Sequence, residues 1–468
     1  MQIYNTMSRK KEEFVPVEAG KLKLYACGPT VYNYFHIGNA RAFIFFDVVR
    51  RYFEYLGYDV TYVQNITDID DKIITQSIDE NKDFSTIADK YSNAFLEDCQ
   101  RLGIKTPHYQ PRATEVMDDI IRIIDAQVKS GHAYESGGDV YFDAESLPAY
   151  GSLSGKKIED QMAGARVEEN KLKRNPADFT LWKKSKPGEP FWPSPWGEGR
   201  PGWHSECVVM SQKYLGETFD IHGGGIDLVF PHHENELAQA LATTGKPLAN
   251  YWMHNGFLNI EGEKMSKSLN NFFTARDILE QHSAEAIRFF FLSKHYRSPI
   301  DFNREIIAES ERAIGSIYQT LKTLISESAK SPEELMKIQV QSPALLSELE
   351  TFKSAMDDDF NTARAIAVFF DLSRLIKNKN NDLSEREEAA ALLLQSGTAL
   401  GFFGDLKALE ETPMPDLSRQ LIELIIGYRA NARTDKNWAL SDQIRDDLAG
   451  LGIELKDSKE GCTWTIKG

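Results

Sequence analysis

A doubly wound α/β fold with a parallel sheet, interrupted by an insertion and followed by an α-helical bundle and a small C-terminal module, is predicted by three features of the sequence. Strand-like apolar runs alternate with helical stretches from Leu22 to Gly103. Apolar residues recur at three- and four-residue spacing beyond Asn303, and a stretch with two prolines, Gly404 to Asp416, sets the last segment apart. Alternation points to parallel pairing, because parallel strands need long, usually helical, crossovers.

In chain order, Leu22 to Ala26 reads as a strand ending in the turn Cys27-Gly28-Pro29, Ala40 to Leu56 as a helix, and Tyr58 to Val63 as a further strand. Residues 1–111 then form the first half of the α/β domain. An insertion spans 112–200. It opens with an amphipathic helix, continues through a hairpin from Ala133 to Phe142 around Gly137-Gly138, and closes in the Pro-, Gly- and Trp-rich Pro187 to Gly202. Residues 201–258 are the second half of the domain, and 259–303 hold a lysine-rich loop and the helices of Ala275 to Lys294. Glu305–Ser326, Ala344–Met356, Thr362–Lys377 and Ser384–Phe402 make 304–403 a helical bundle. After the linker 404–416, the module 417–468 has helices near Leu417–Ala430 and Lys436–Leu451 and a hairpin ending at Trp464.

Cys27, Cys207, His232 and Glu236, dispersed over more than two hundred positions, form a candidate zinc site. Structural zinc takes ligands from short clusters, so ligands this scattered would be gathered by an active-site scaffold. Pro231 suits a first helical turn, and the i, i+4 spacing puts His232 and Glu236 on one face. His233 has Leu237 at that spacing, which makes His232 the better ligand. Cys207 fits either a strand end or a helix start. On spacing alone, two core thiols, a helix-face histidine and a solvated glutamate remain the alternative.

Two motifs flank this quartet: His36-Ile37-Gly38-Asn39, and Lys264-Met265-Ser266-Lys267-Ser268, with Phe219-Asp220-Ile221-His222-Gly223-Gly224-Gly225 between them. Alone, each fits an ordinary turn or basic loop. Together and in this order they resemble the cysteinyl-tRNA synthetase family of the class I aminoacyl-tRNA synthetases, along nearly the whole chain.

The resemblance implies a Rossmann-type catalytic domain that activates L-cysteine with ATP and transfers it to the 3′ end of tRNA(Cys), with one Zn2+ per chain and Mg2+ accompanying ATP. It implies that His36 and Asn39 approach the phosphates from a helix N-terminus. Asn39 departs from the commoner histidine; an amide donates a hydrogen bond but carries no charge. The loop that Gly262 makes pliable would bring Lys264 and, above all, Lys267 to the leaving pyrophosphate. Gly223 and Gly224 would admit the nucleotide, and Asp227 would accept from its ribose. Thr67, Trp203 and His222 would wall the amino-acid pocket. In the last module, Arg433, Trp438, Asp442 and Arg445 would read the anticodon, with Trp438, Asp442 and Arg445 on one helical face.

Composition bounds these expectations. The 468 residues, 41% of them hydrophobic, suffice for several domains. No apolar run approaches the ~20 residues of a membrane span, and Met1 to Lys11 lacks a signal-peptide pattern, so a cytoplasmic enzyme is expected, a monomer by family habit. A net charge of −16 means that tRNA would be held by local basic patches and shape. Two other readings stand beside the first. A related ligase joining activated cysteine to an amino sugar would not need the module after Pro415, and a non-catalytic zinc- or RNA-binding paralogue would not need His36 and Lys267.

Overall fold

In the computed structural model, which describes residues 1–156, 171–260, 263–264, 273–410, 416–458 and 461–466, β1 (Gln2–Asn5) and β2 (Lys10–Glu13) form an antiparallel ladder ahead of the main sheet. Strand β3 (Lys21–Ala26) leads into α1 (Ile37–Tyr55), which returns the chain to β4 (Asp59–Gln64). Leu22, Leu24, Tyr25 and Ala26 are all buried, as expected of a central parallel strand covered on both faces. Helix α1 is buried on most of its circumference, with Ile37, Ala40, Phe43, Phe46, Val49 and Phe53 and also the charged Arg41, Asp47 and Arg50 among its buried residues, so it lies inside the domain.

Helices α2 (Asp71–Glu80), α3 (Phe84–Arg101) and α4 (Met117–Lys129) follow. The insertion then folds as an antiparallel sheet of β5 (Ala133–Ser136), β6 (Asp139–Phe142), β7 (Phe179–Lys184) and β8 (Gly199–Pro201). Gly137 and Gly138, at φ 66° and 91°, supply the left-handed turn between β5 and β6. Helix α5 (Trp203–Leu215) leads back to β9 (Phe219–Gly225), and α6 (Glu234–Thr244) to β10 (Ala249–Asn255).

The main sheet has the order β10-β9-β3-β4, all parallel. The chain winds outward from β3 to β4 on one side and from β9 to β10 on the other, so the order reverses between β3 and β9. A crevice opens beyond the carboxyl ends of strands at such a point.

Past β10, a small sheet of β11 (Leu258–Ile260), β12 (Glu263–Lys264) and β13 (Ile300–Phe302) flanks α7 (Ala275–Leu279) and α8 (Ala284–Leu292). The helical region comprises α9 (Arg304–Ser328), the short α10 (Pro332–Met336), α11 (Pro343–Asp357), α12 (Thr362–Lys377) and α13 (Leu383–Ala399). Helix α10 was not expected from periodicity; at five residues it is too short to show any.

Two compact units result, Met1–Leu406 and Lys407–Gly468. The second contains α14 (Asp416–Thr434), α15 (Trp438–Gly450) and the hairpin β14 (Ile453–Ser458) and β15 (Gly461–Ile466), around a core of Ile422, Leu448 and Ile453. Among the described residues, no helix is long and apolar enough to cross a membrane.

Candidate active site

The crevice between β3 and β9 holds a cavity of about 350 Å³. One side is formed by Cys27 to Thr30, by Tyr32 to His36 and by Gly38 and Asn39; the other by Gly225, Asp227, Leu228 and Asn255 to Leu258, with Trp203 and Lys72 also lining it. Both sides are strand-to-helix or strand-to-strand connections, so the sheet fixes their backbones while their side chains converge.

At one end the fold gathers the dispersed quartet. The Cys27 amide donates to the carbonyl of Gly223 at 3.0 Å, extending the β3–β9 ladder by one residue and setting the thiol at the strand end. Cys207 comes from α5, resolving the choice between strand end and helix start. His232 lies in the turn Val229–His233 that leads into α6, and Glu236 in the first turn of that helix. Ligand atoms of all four lie within 4.8 Å of one another, and every residue is buried. His232 Nε2 stands 3.0 Å from Glu236 Oε1 and 3.6 Å from Cys207 Sγ.

The donor chemistry suits a cation. Burial and the neighbouring Cys207 push the Cys27 thiol well up, while the bond from Cys27 brings Cys207 down to about 6. Burial opposes charge on His232, but Glu236 and Cys207 outweigh it and raise His232 to about 10. The Glu236 carboxyl resists its own burial and is held well below the usual range by His222 and His232. Two thiols, an imidazole and a carboxylate therefore meet with more negative than positive capacity. That is what a soft divalent ion requires.

A second group, unforeseen from spacing, overlaps the first: Cys27, His222, His233 and Glu236 also lie within 4.8 Å of one another. His222 Nε2 is 2.7 Å from Glu236 Oε2, and His233 Nε2 is 3.2 Å from Cys27 Sγ. The other nitrogen of His233 meets His254 Nε2 at 2.8 Å, and His254 Nδ1 meets Thr6 Oγ1 at 2.7 Å. Such outer partners fix ring orientation at ligand sites. His254 gave no signal in the sequence, because its neighbours are ordinary strand residues.

At the other end of the cavity, His36 caps α1. The Asn39 amide donates to His36 Nδ1 at 3.2 Å and the His36 amide to Asn39 Oδ1 at 3.3 Å, a reciprocal capping box. Since Nδ1 accepts, the ring proton sits on Nε2. Burial lowers His36 to about 4 against a weaker pull from Asp227, so the ring is a neutral donor. Asn39 spends its oxygen on the cap, and its amide nitrogen is the donor that remains.

The other predicted residues fall in different places. Trp203 is 38% exposed, lines the cavity and stacks on His232 at 4.0 Å. His222 is buried behind the quartet. Thr67 is buried too: its hydroxyl donates to Glu206 Oε2 at 2.9 Å and accepts from Asn65 Nδ2 at 3.1 Å. Asp227 lines the cavity, whereas the close approaches at Gly223 and Gly224 are to protein. A Cβ on Gly223 would stand 2.1 Å from the Phe46 ring, and one on Gly224 2.9 Å from His233.

Lys264 lies in β12, where a loop was expected; Gly262 and Lys267 lie outside the described residues. Both flanks of that segment nevertheless reach the cleft. Strand β12 pairs with β11, directly after the wall Asn255–Leu258. On the far side, Ile37 N donates to Phe273 O and Ala275 N to Phe35 O, each at 3.0 Å.

In the second unit, Trp438 is 58% exposed at the start of α15. Asp442 and Arg445 pair on the same helix at 3.0 Å, and Arg433 Nη1 donates to Asp457 Oδ2 at 2.6 Å.

Comparison with known proteins agrees with this geometry. Residues 13–312 match the family model for the tRNA synthetases class I (C) catalytic domain, and 351–404 match the DALR domain. The cysteine–tRNA ligase of Pelobacter propionicus is 48% identical, covering 100% of both chains, and that of Clostridioides difficile is 49% identical over 99% of each. Among solved structures, Mycobacterium tuberculosis methionyl-tRNA synthetase in complex with methionyl-adenylate superposes at a TM-score of 0.59, with 15% identity, over 86% of this chain and 94% of that one. A putative arginyl-tRNA synthetase from Campylobacter jejuni does so at 0.54, with 16% identity, over 86% and 96%. These two likenesses concern the fold alone. The chain belongs to the cysteine–tRNA ligase family of class I tRNA synthetases.

Proposed function

We propose that the protein is a cysteine–tRNA ligase that activates L-cysteine with ATP and transfers it to tRNA(Cys), selecting its amino acid through zinc held by Cys27, Cys207, His232 and Glu236. The observation that carries this reading is a buried two-thiol quartet at one end of a cleft whose other end is a capped helix N-terminus. Zinc bound there would take the substrate sulfur as thiolate and give serine, a harder and less acidic ligand, no equivalent contact.

The chain's own residues then divide the work. Trp203, stacked on His232, covers the thiol end. His222 holds Glu236 in place from behind, and Glu206 and Asn65 fix Thr67. With the amino acid at Cys27, ATP occupies the remainder of the cavity. The N–H groups opening α1, the neutral His36 ring and the Asn39 amide nitrogen face its phosphates, and Asp227 faces its ribose. Activation puts charge on the pyrophosphate, and Lys264 and Lys267 oppose that charge as it develops. Both flanks of their segment are tied to the cleft, which supports this role. Magnesium accompanies ATP. Class I membership supports attack on cysteinyl-adenylate by the 2′-hydroxyl of the terminal adenosine. In the second unit, the exposed Trp438 with Arg433, Asp442 and Arg445 reads the anticodon by stacking and charge.

The test is ATP–pyrophosphate exchange dependent on cysteine, followed by charging of tRNA(Cys). Exchange is expected with cysteine and not with serine. Equal exchange with both would overturn zinc-based selection, and none with either would overturn the ligase reading.

A further inference from the structure

Arg41, in the second turn of α1, is 2% exposed, yet among the described residues the acceptors of its guanidinium are all backbone carbonyls. Nη1 donates to Gly256 and Phe257 at 2.7 and 2.8 Å. Nη2 donates to His295, Tyr296 and Ser298 at 3.4, 3.0 and 2.5 Å. A guanidinium buried without a carboxylate is costly, and burial brings Arg41 down to about 10. What offsets the cost is the convergence of carbonyls, which would repel one another without a multivalent donor between them. Lysine, with its donors on one point, cannot span two segments in this way.

The two segments differ in what they do. Gly256 and Phe257 belong to the cavity wall Asn255–Leu258, which lines the same cavity as His36 and Asn39. His295–Ser298 belongs to the frame and is fixed from behind. The buried carboxylate of Asp359 accepts from Tyr296 Oη and Arg297 Nε at 2.8 Å each, and the Tyr296 ring stacks on Phe45 of α1 at 4.1 Å. Wall and frame touch so closely that a Cβ on Gly256 would stand 2.6 Å from the Arg297 carbonyl oxygen and 2.8 Å from that of Ser298. Arg41 is thus the clasp that ties this wall to α1 and the frame. Because the thiol quartet marks the Cys27 end as the amino-acid end, this wall borders the nucleotide part of the cavity.

We propose that Arg41 is a positioning residue for ATP: by holding the carbonyls of Gly256 and Phe257 against those of His295–Ser298, it sets the width of the cleft between the wall Asn255–Leu258 and the His36 end of α1. The assignment of the nucleotide to that part of the cleft rests on the ligase reading above. Arg41 touches no substrate, so its loss alters the placing of ATP and leaves the cysteine end intact.

In the full-length protein, Arg41→Met is expected to lower kcat/KM for ATP in pyrophosphate exchange by about 10²-fold, the scale of an ångström-level misplacement, with KM for cysteine and zinc content unchanged. Arg41→Lys should recover part of the loss. Gly256→Ala, which forces the same segments apart without altering Arg41, should show the same ATP-selective defect and serves if Arg41→Met does not fold. Wild-type kinetics in folded Arg41→Met or Arg41→Lys, or losses shared equally between ATP and cysteine in Arg41→Lys and Gly256→Ala, would overturn the proposal. Direct ATP binding by calorimetry separates the two readings. A wild-type protein that binds ATP but lacks cysteine-dependent exchange overturns the ligase reading alone, while weakened ATP binding by Arg41→Lys still supports the positioning role.

Discussion

Around the cleft, Arg41, Glu206, His222, His232 and Glu236 are each no more than 2% exposed and partnered by other protein groups, whereas in the unit Lys407–Gly468 Trp438 is 58% exposed and the Arg445 and Asp442 side chains are 47% and 61% exposed. The first arrangement suits chemistry on small molecules: donors fixed in a dry site need no reorganisation when charge develops, and their interactions are stronger there than in water. The second suits a polymer whose bases must be splayed onto accessible rings. The cores follow suit. The α/β domain encloses α1 on nearly all sides, while the second unit rests on Ile422, Leu448 and Ile453 with a few partly buried neighbours. Burial of polar groups, more than motif content, separates the region that does the chemistry from the region proposed to read RNA.

Substitutions that respect this division should affect one half-reaction or the other. The largest effect is expected from Cys207→Ser, which replaces a buried sulfur donor by a poor zinc ligand; zinc content and cysteine-dependent exchange should both fall to background. Metal analysis beside exchange assays checks it, and active enzyme without zinc would break the link between quartet and selection. Next comes Lys267→Ala. Losing one contact made as charge develops commonly lowers a rate by about 10²–10³-fold, so single-turnover adenylate formation should slow by that order while cysteine affinity holds. A collapse of affinity at a normal rate would assign the lysine to binding.

Trp438→Ala tests the other side of the comparison. Base stacking on an aromatic is worth about 1–3 kcal/mol, so kcat/KM for tRNA should drop roughly 5- to 150-fold with pyrophosphate exchange untouched. Equal charging by the variant would remove the RNA-facing role from this surface. The smallest effect concerns acid. Asp457 is held well below the usual carboxylate range, first by the hydrogen bond from Arg429 and also by Arg433. A depressed folded-state value means that the stabilisation is fully present above the unfolded value of about 3.9 and is lost as pH falls through the folded one. Since the carboxylate is 44% exposed, solvent screening limits the contribution to below about 1 kcal/mol. Thermal melts of the wild type and Asp457→Asn should differ slightly at neutral pH, and the difference should shrink progressively as pH falls below about 4.

Local pattern alone determined a good deal of this protein. The four long helices of 304–403, the Gly137-Gly138 hairpin, the strand leading into Cys27 and the pairing of His232 with Glu236 all rest on spacing within a few residues, where periodicity and turn chemistry act directly on the backbone. Tertiary structure decided the rest. Spacing favoured His232 over His233, yet packing brings His233 to Cys27 as well, because the strand end that carries Cys27 lies against this turn from a part of the chain some two hundred positions away. Gly223 and Gly224 suggested room for a ligand; the neighbouring helix and turn fill that room with Phe46 and His233. Nothing in the sequence neighbours of Arg41 betrays that its partners are carbonyls more than two hundred positions away. Side-chain spacing encodes which face a residue presents, but what meets that face is set by how the strands β3 and β9 are joined, and that information is spread over the whole chain.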